Sequence, residues 1–91
     1  MKSFRHAGLE RFFKTGSKAG IQPHHGARLR RLLTALDAAK SPSDLSTPVS
    51  YWLHRLKGKE KHWSLWVDAN YRLTFDFEGE DAILVDYRDY H

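Results

Sequence analysis

The residues of this chain best suited to chemistry are two histidines, a lysine, an arginine and a short acidic-aromatic C-terminal run. His54 and Lys57 stand three residues apart in Leu53-His54-Arg55-Leu56-Lys57-Gly58, where a strand is predicted to run into a glycine-containing turn. Asp89, Tyr90 and His91 are the last three residues, and Arg72 alternates out of an apolar run between these two segments. Imidazole is the side chain whose ordinary pKa suits proton transfer near neutrality. Lysine and arginine supply fixed positive charge, and the planar guanidinium can meet two phosphate oxygens at once. Together these groups match the cleavage of RNA by its own 2′-hydroxyl. A base takes the hydroxyl proton, cations hold the charge that builds on the phosphoryl oxygens, and an acid protonates the leaving 5′ oxygen. Tyr90 can orient a phosphate or stack on a base, Asp89 can fix a histidine tautomer, and Trp66 offers a platform for an unpaired base. Spacing does not assign base and acid: Lys57 serves as base if Arg72 depresses its pKa, and otherwise as an electrostatic clamp.

The elements that must hold these groups are legible in the hydrophobic pattern. Leu9, Phe12 and Phe13 follow helical spacing from about Ala7 until Gly16, a natural stop. Pro23 then opens an amphipathic helix over about 23–39, with Leu29, Leu32, Leu33 and Leu36 on one stripe and Arg28, Arg30 and Arg31 mostly off it. Ser41-Pro42-Ser43-Asp44 ends that helix, and the residues to Ser50 read as loop. The period then changes from helical to alternating. Trp63, Leu65 and Val67 alternate with Ser64, Trp66 and Asp68, and Tyr71, Leu73, Phe75 and Phe77 with Arg72, Thr74, Asp76 and Glu78. A three-residue loop Asp68-Ala69-Asn70, with Asn70 left-handed, pairs Val67 with Tyr71 and Leu65 with Leu73 and keeps one face apolar. It also sets Trp66 opposite Arg72. After Glu78-Gly79-Glu80-Asp81, a last strand carries Ile83, Val85 and Tyr87. Lys2-Ser3-Phe4 reads as a short edge strand or lead-in.

The predicted fold class is therefore α+β, with two N-terminal helices packed on one face of a small antiparallel β-sheet and His54, Arg72 and the chain end on the other. At 91 residues the chain is expected to be a single domain, residues 1–91. The formal net charge of +4 is unevenly spread. The first forty residues are strongly basic, whereas 76–91 set Arg88 against Asp76, Glu78, Glu80, Asp81, Asp86 and Asp89. Such a surface steers a phosphate-rich partner. Arg55, Lys59 and Lys61 join Lys57 in a denser basic stripe expected to touch RNA.

Other chemistries are less well supplied. With no cysteine, the chain has no disulfide framework, thiolate zinc site or thiol nucleophile. Six histidines are many for this length, yet His24 and His25 are adjacent, a spacing that points helical side chains apart. No His-Glu-x-x-His pattern and no glycine-rich phosphate loop occur, so neither a metal nor a cofactor is expected. There is no signal-like or membrane-length apolar run, and a cytoplasmic protein without membrane contact is expected.

Several short stretches carry a resemblance. Lys2-Ser3-Phe4, Thr15-Gly16-Ser17-Lys18-Ala19-Gly20-Ile21, Leu36-Asp37-Ala38-Ala39 and Leu53-His54-x-Leu56-Lys57-Gly58 resemble the HigB branch of the RelE/ParE toxin superfamily. So do Trp63-Ser64, Asn70-Tyr71-Arg72-Leu73-Thr74-Phe75 and Asp86-Tyr87-Arg88-Asp89-Tyr90-His91. The resemblance runs from end to end in order. It implies a RelE-like, microbial-ribonuclease-like fold and a toxin of a type II toxin–antitoxin pair, which cuts mRNA in the ribosomal A site without a metal and so inhibits translation. It further implies site residues at His54, Lys57, Arg72, Asp89, Tyr90 and His91, and a helix-turn-helix, HigA-like antitoxin that meets operator DNA in complex with the toxin. Tyr71 stands where relatives often carry tryptophan. Two alternatives stay open: a ParE-like DNA gyrase poison sharing the fold but not the RNA-cutting residues, and a non-catalytic RNA- or ribosome-binding module using the basic stripe.

Overall fold

A computed structural model describes residues 1–56 and 62–90; Lys57, Gly58, Lys59, Glu60, Lys61 and His91 lie outside the described residues. Helix α1 spans Ala7–Thr15. The His6 ring nitrogen Nδ1 accepts from the Leu9 amide at 2.9 Å, satisfying one of the free donors of the first turn. Gly16 closes the helix in the left-handed conformation, at φ 80°, and donates to the Phe12 carbonyl.

The predicted second helix is divided. Pro23–His25 form one 3₁₀ turn, and the α-helix proper, α2, spans Gly26–Ala38. The tighter turn carries His25 inward, where it is buried. Leu29, Leu32, Leu33 and Leu36 are all buried, as the stripe predicts, and share one core with Leu9 and Phe12 of α1. Each such leucine contributes about 2 kcal/mol of transfer free energy. The stretch expected to be loop holds two further 3₁₀ turns, Pro42–Leu45 and Val49–Tyr51, and the first buries Leu45.

Four antiparallel strands follow in sequential order: β1 (His54–Arg55), β2 (Trp63–Trp66), β3 (Tyr71–Glu78) and β4 (Asp81–Asp89). The β2–β3 register pairs Leu65 with Leu73 and Trp66 with Arg72, as the three-residue loop requires. The loop is closed differently from expectation. Asn70 is not left-handed; the Asp68 carboxylate oxygen Oδ1 accepts from the amides of Asn70 and Tyr71, both at 2.9 Å, so a side chain makes the turn.

Strand β4 departs from simple alternation. Its register with β3 shifts between Thr74 and Asp76, and Leu84 takes φ 56°. This bulge puts Ala82, rather than Ile83, on the buried side, while Val85 and Tyr87 remain buried as expected. The lead-in Lys2-Ser3-Phe4 runs along the far edge of β4 through a parallel bridge from Phe4 to Val85. Leu65, Val67, Leu73, Phe75, Val85 and Tyr87 meet the helices in a single cluster, so both helices lie on one sheet face. No helix among the described residues is long and apolar enough to cross a membrane.

Candidate active site

Strand parity decides which side chains meet on the other face. Cross-strand partners run His54 to Ser64 to Thr74 to Asp86 in one row, and Trp66 to Arg72 to Arg88 in the next such row. Residues two apart on a strand share a face, so His54, Ser64, Trp66, Arg72 and Thr74 all point away from the helices. His54 and Arg72 are separated by two strand spacings and two residues, about 12 Å between Cα atoms. Long side chains can close that gap around a phosphate. A cleft of about 260 Å³ lies there, lined by Trp52, His54, Leu56, Ser64, Trp66, Arg72 and Tyr90.

Arg72 is aimed by the backbone of its own hairpin. Its Nη1 donates to the carbonyl of Asp68 at 2.5 Å and to that of Tyr71 at 2.9 Å. Its guanidinium carbon lies 5.9 Å from the ring centroids of both Trp66 and Tyr90. With Nη1 occupied and aromatic rings to either side, the remaining donors are presented to the cleft. Tyr90 is set by its amide, which donates to the Asn70 carbonyl at 2.5 Å, so the β2–β3 turn positions both groups. Arg88 pairs with Arg72 in the ladder, and its charge is offset by Asp86 at 3.2 Å.

The turn is braced from the helix side. His25 Nε2 lies 2.5 Å from Asp68 Oδ2, and its Nδ1 is hydrogen-bonded to the Tyr87 hydroxyl. Burial works to raise the Asp68 pKa, but hydrogen bonds from His25 and from the Asn70 and Tyr71 amides outweigh it and hold the carboxyl below its ordinary value. Burial pushes the Tyr87 phenol up to about 12, aided by the nearby charges of Asp68 and Asp89. The expectation that His24 and His25 point apart is corrected: on the Pro23–His25 turn their ring centroids are 4.2 Å apart, His24 exposed and His25 buried. With Asp68 they are the group of possible ligands found within 4.8 Å of one another among the described residues. His25 and Asp68 spend their nearest atoms on each other.

Of the site residues read from the sequence, the structure brings His54, Arg72, Tyr90 and Trp66 to one cleft. Asp89 is not brought there. It pairs with Tyr71 and lies by strand parity on the face of Tyr87, at the exposed end of β4. Arg55 also falls on the opposite face, where its guanidinium lies 5.0 Å from the centre of the Trp63 ring. Lys57, Lys59, Lys61 and His91 lie outside the described residues. Sequence reasoning passed over Trp52, Leu56 and Ser64 as lining residues and Arg28 as a brace. Trp52 lies outside β1, at the left-handed end of the Val49–Tyr51 turn, so strand parity does not place it.

A small α+β fold with helices on one face and an imidazole, a guanidinium and a phenol collected on the other has the makings of a phosphodiester-cleaving protein. The comparisons are specific. A family model described as the RelE-like toxin of the type II toxin–antitoxin system HigB matches residues 2–91, and the chain belongs to that HigB-like toxin family. The Endoribonuclease HigB of Proteus vulgaris is 40% identical over 92 residues, covering 100% of this chain and 99% of that relative. Membership in a type II toxin–antitoxin family implies an antitoxin as partner.

Proposed function

We propose that the chain is an endoribonuclease that cuts mRNA in the ribosomal A site without a metal ion, and thereby inhibits translation. The observation that carries this reading is the shared cleft of His54, Arg72 and Tyr90, on the sheet face the helices leave open. The endoribonuclease activity in the name of the Proteus vulgaris relative supports it. The chemistry of the lining fits as well: among the described residues it offers imidazole, guanidinium, phenol and indole groups and no carboxylate, a set suited to holding phosphate directly.

In this mechanism the 2′ oxygen forms a bond to the adjacent phosphorus as the bond from phosphorus to the 5′ oxygen breaks. One fragment ends in a cyclic phosphate and the other in a 5′-hydroxyl. Arg72 holds the phosphoryl oxygens as their charge grows. His54 transfers a proton at one end of the reaction, and His91 or Lys57 completes the transfer at the other. Tyr90 fixes the phosphate or its base beside Arg72. Lys59 and Lys61 carry the basic surface along the RNA path, and a helix-turn-helix antitoxin restrains the toxin in the cytoplasm.

Inducing the chain in a bacterium and mapping 5′ ends of cellular messages tests the proposal. Growth arrest with cuts inside translated coding regions is expected, and Arg72→Ala should abolish both. Intact messages during arrest would refute it, and arrest with failed DNA supercoiling would favour the gyrase-poison reading instead.

A further inference from the structure

The cleft contains a tryptophan whose placement needs explaining. Trp52 is 60% exposed, although a large apolar side chain is ordinarily turned inward. Its backbone is left-handed, at φ 47° and ψ 59°, a region a bulky residue rarely occupies and one that tends to mark functional sites. The twist is held in place: the Trp52 amide donates to the Val49 carbonyl at 2.9 Å, closing the 3₁₀ turn that precedes it.

An arginine of α2 ties that turn to the sheet. Arg28 of α2 donates through Nη2 to the Ser50 carbonyl at 2.6 Å and to the Trp66 carbonyl at 3.0 Å. Its guanidinium carbon lies 5.6 Å from the Tyr51 ring centre and 5.8 Å from that of Trp66. Arg28 thus fastens the segment before Trp52 to the end of β2, and the rings of Trp52 and Trp66 stand 5.6 Å apart at an interplanar angle of 46°. A contacting pair of indoles results, with Trp52 exposed, and both line the cleft that holds His54 and Arg72.

We propose that Trp52 and Trp66 form a base-binding subsite that seats an unpaired nucleobase next to the scissile phosphate, with Arg28 as its positioning residue. The inference rests on the RNA-cutting reading of the same cleft. The chemistry favours this occupant: indole faces stack on any base, and Arg72, 5.9 Å from the Trp66 ring, supplies the positive charge that the adjoining phosphate requires. A base stacked on the exposed Trp52 face would fix the nucleotide's orientation and bring its phosphate to Arg72 and its sugar toward His54.

The test uses the full chain and five-nucleotide RNA oligomers carrying 2′-deoxy sugars, which cannot be cut, with an abasic site placed at each position in turn. Binding is followed by tryptophan emission. The wild-type chain should bind the intact oligomer on the order of tenfold more tightly than one particular abasic oligomer. Trp52→Ala should bring that ratio close to one, Trp52→Phe should keep most of it, and Arg28→Gln should lower it. Because Trp52 is exposed, its replacement leaves the core intact, and the ratio compares two ligands on one protein. A wild-type ratio of one at every position, or an unchanged ratio in Trp52→Ala, would overturn the proposal. The two readings fail separately. Absence of cleavage on ribosomes with the base preference retained removes the nuclease and leaves the subsite, whereas cleavage without the preference removes the subsite alone.

Discussion

Replacing Arg72 tests both the site and the way the fold builds it. In the structure its Nη1 is committed to the carbonyls of Asp68 and Tyr71, which orients the guanidinium and leaves its other donors for the phosphoryl oxygens of the proposed reaction. Removing one preorganised donor from a site of developing charge costs about 3–4 kcal/mol of transition-state stabilisation, or roughly 10²–10³ in rate. Arg72→Ala should therefore cleave at least about a hundredfold more slowly. Arg72→Lys keeps the charge but cannot both grip two carbonyls and present a fork, so it should recover only part of the loss, remaining about tenfold or more below wild type. Both variants also lose two backbone hydrogen bonds worth about 1 kcal/mol each, a cost to stability that thermal unfolding reads separately. The assay is single-turnover cleavage of a defined A-site codon on programmed ribosomes at saturating toxin, well below the melting temperature. Wild-type rate in Arg72→Lys would refute the argument from geometry, and a rate within tenfold of wild type in Arg72→Ala would remove Arg72 from the site.

Three further perturbations follow from the same structure. His54→Ala should slow single-turnover cleavage by roughly 10²–10⁴ and erase one limb of the pH-rate profile; an unchanged profile would mean that another group moves the proton. Asp68 has a folded-state pKa below its ordinary 3.8, so its contribution is present above that pH and is lost as the pH falls through the lowered value. Asp68→Asn should cost about 1 kcal/mol near neutrality, after allowing for partial exposure, and flatten the acid limb of the stability curve in chemical denaturation. Tyr87 is raised from 10.0 to about 12, so its contribution is full below pH 10 and is lost as the pH climbs to 12. This amounts to about 2–3 kcal/mol, and Tyr87→Phe should remove that component of alkaline destabilisation.

The sheet register was legible because a single constraint, an apolar face on both sides of the β2–β3 hairpin, leaves one pairing. Leu65 meets Leu73 only if the loop has three residues, and Trp66 then falls opposite Arg72. The leucine stripe of α2 was legible for the same reason: its period admits one buried face. The bulge in β4 was not, because Ile83 and Ala82 are both acceptable core residues and the left-handed turn of Leu84 has no glycine to announce it. One local preference also displaced another at the β2–β3 turn, where Asn70 was the natural left-handed residue but the Asp68 side chain, bonded to amides two and three residues on, closes the turn. Of the candidate site, parity along β1, β2 and β3 placed His54, Trp66 and Arg72 correctly. Adjacent residues alternate faces, but counting back from the chain end could not tell which of Asp89 and Tyr90 would face the cleft, since that depends on the register set beyond the bulge. Trp52 escaped because nothing local marks a tryptophan as exposed.

The organisation of the site is explained by one residue that belongs to both faces of the sheet. The carboxylate of Asp68 reaches the helix side, where it meets His25, while its backbone carbonyl accepts from Arg72 in the cleft. His25 is in turn held by the Tyr87 hydroxyl, and Tyr87 stacks on Tyr71 with ring centroids 4.9 Å apart. The aim of the arginine is thus fixed by a buried network rather than by its neighbours in the cleft, which must stay accessible to RNA. A site that must admit a polymer cannot bury its own supports, and this small sheet solves the problem by placing them on the side where the helices already exclude water. The same logic holds at the other wall, where Arg28 reaches from α2 to carbonyls at Ser50 and Trp66 and so ties the turn before Trp52 to the strand that carries Trp66. Both arms of the cleft are anchored to the helical layer, so a sheet of four strands among the described residues can hold the groups proposed to react on an open surface.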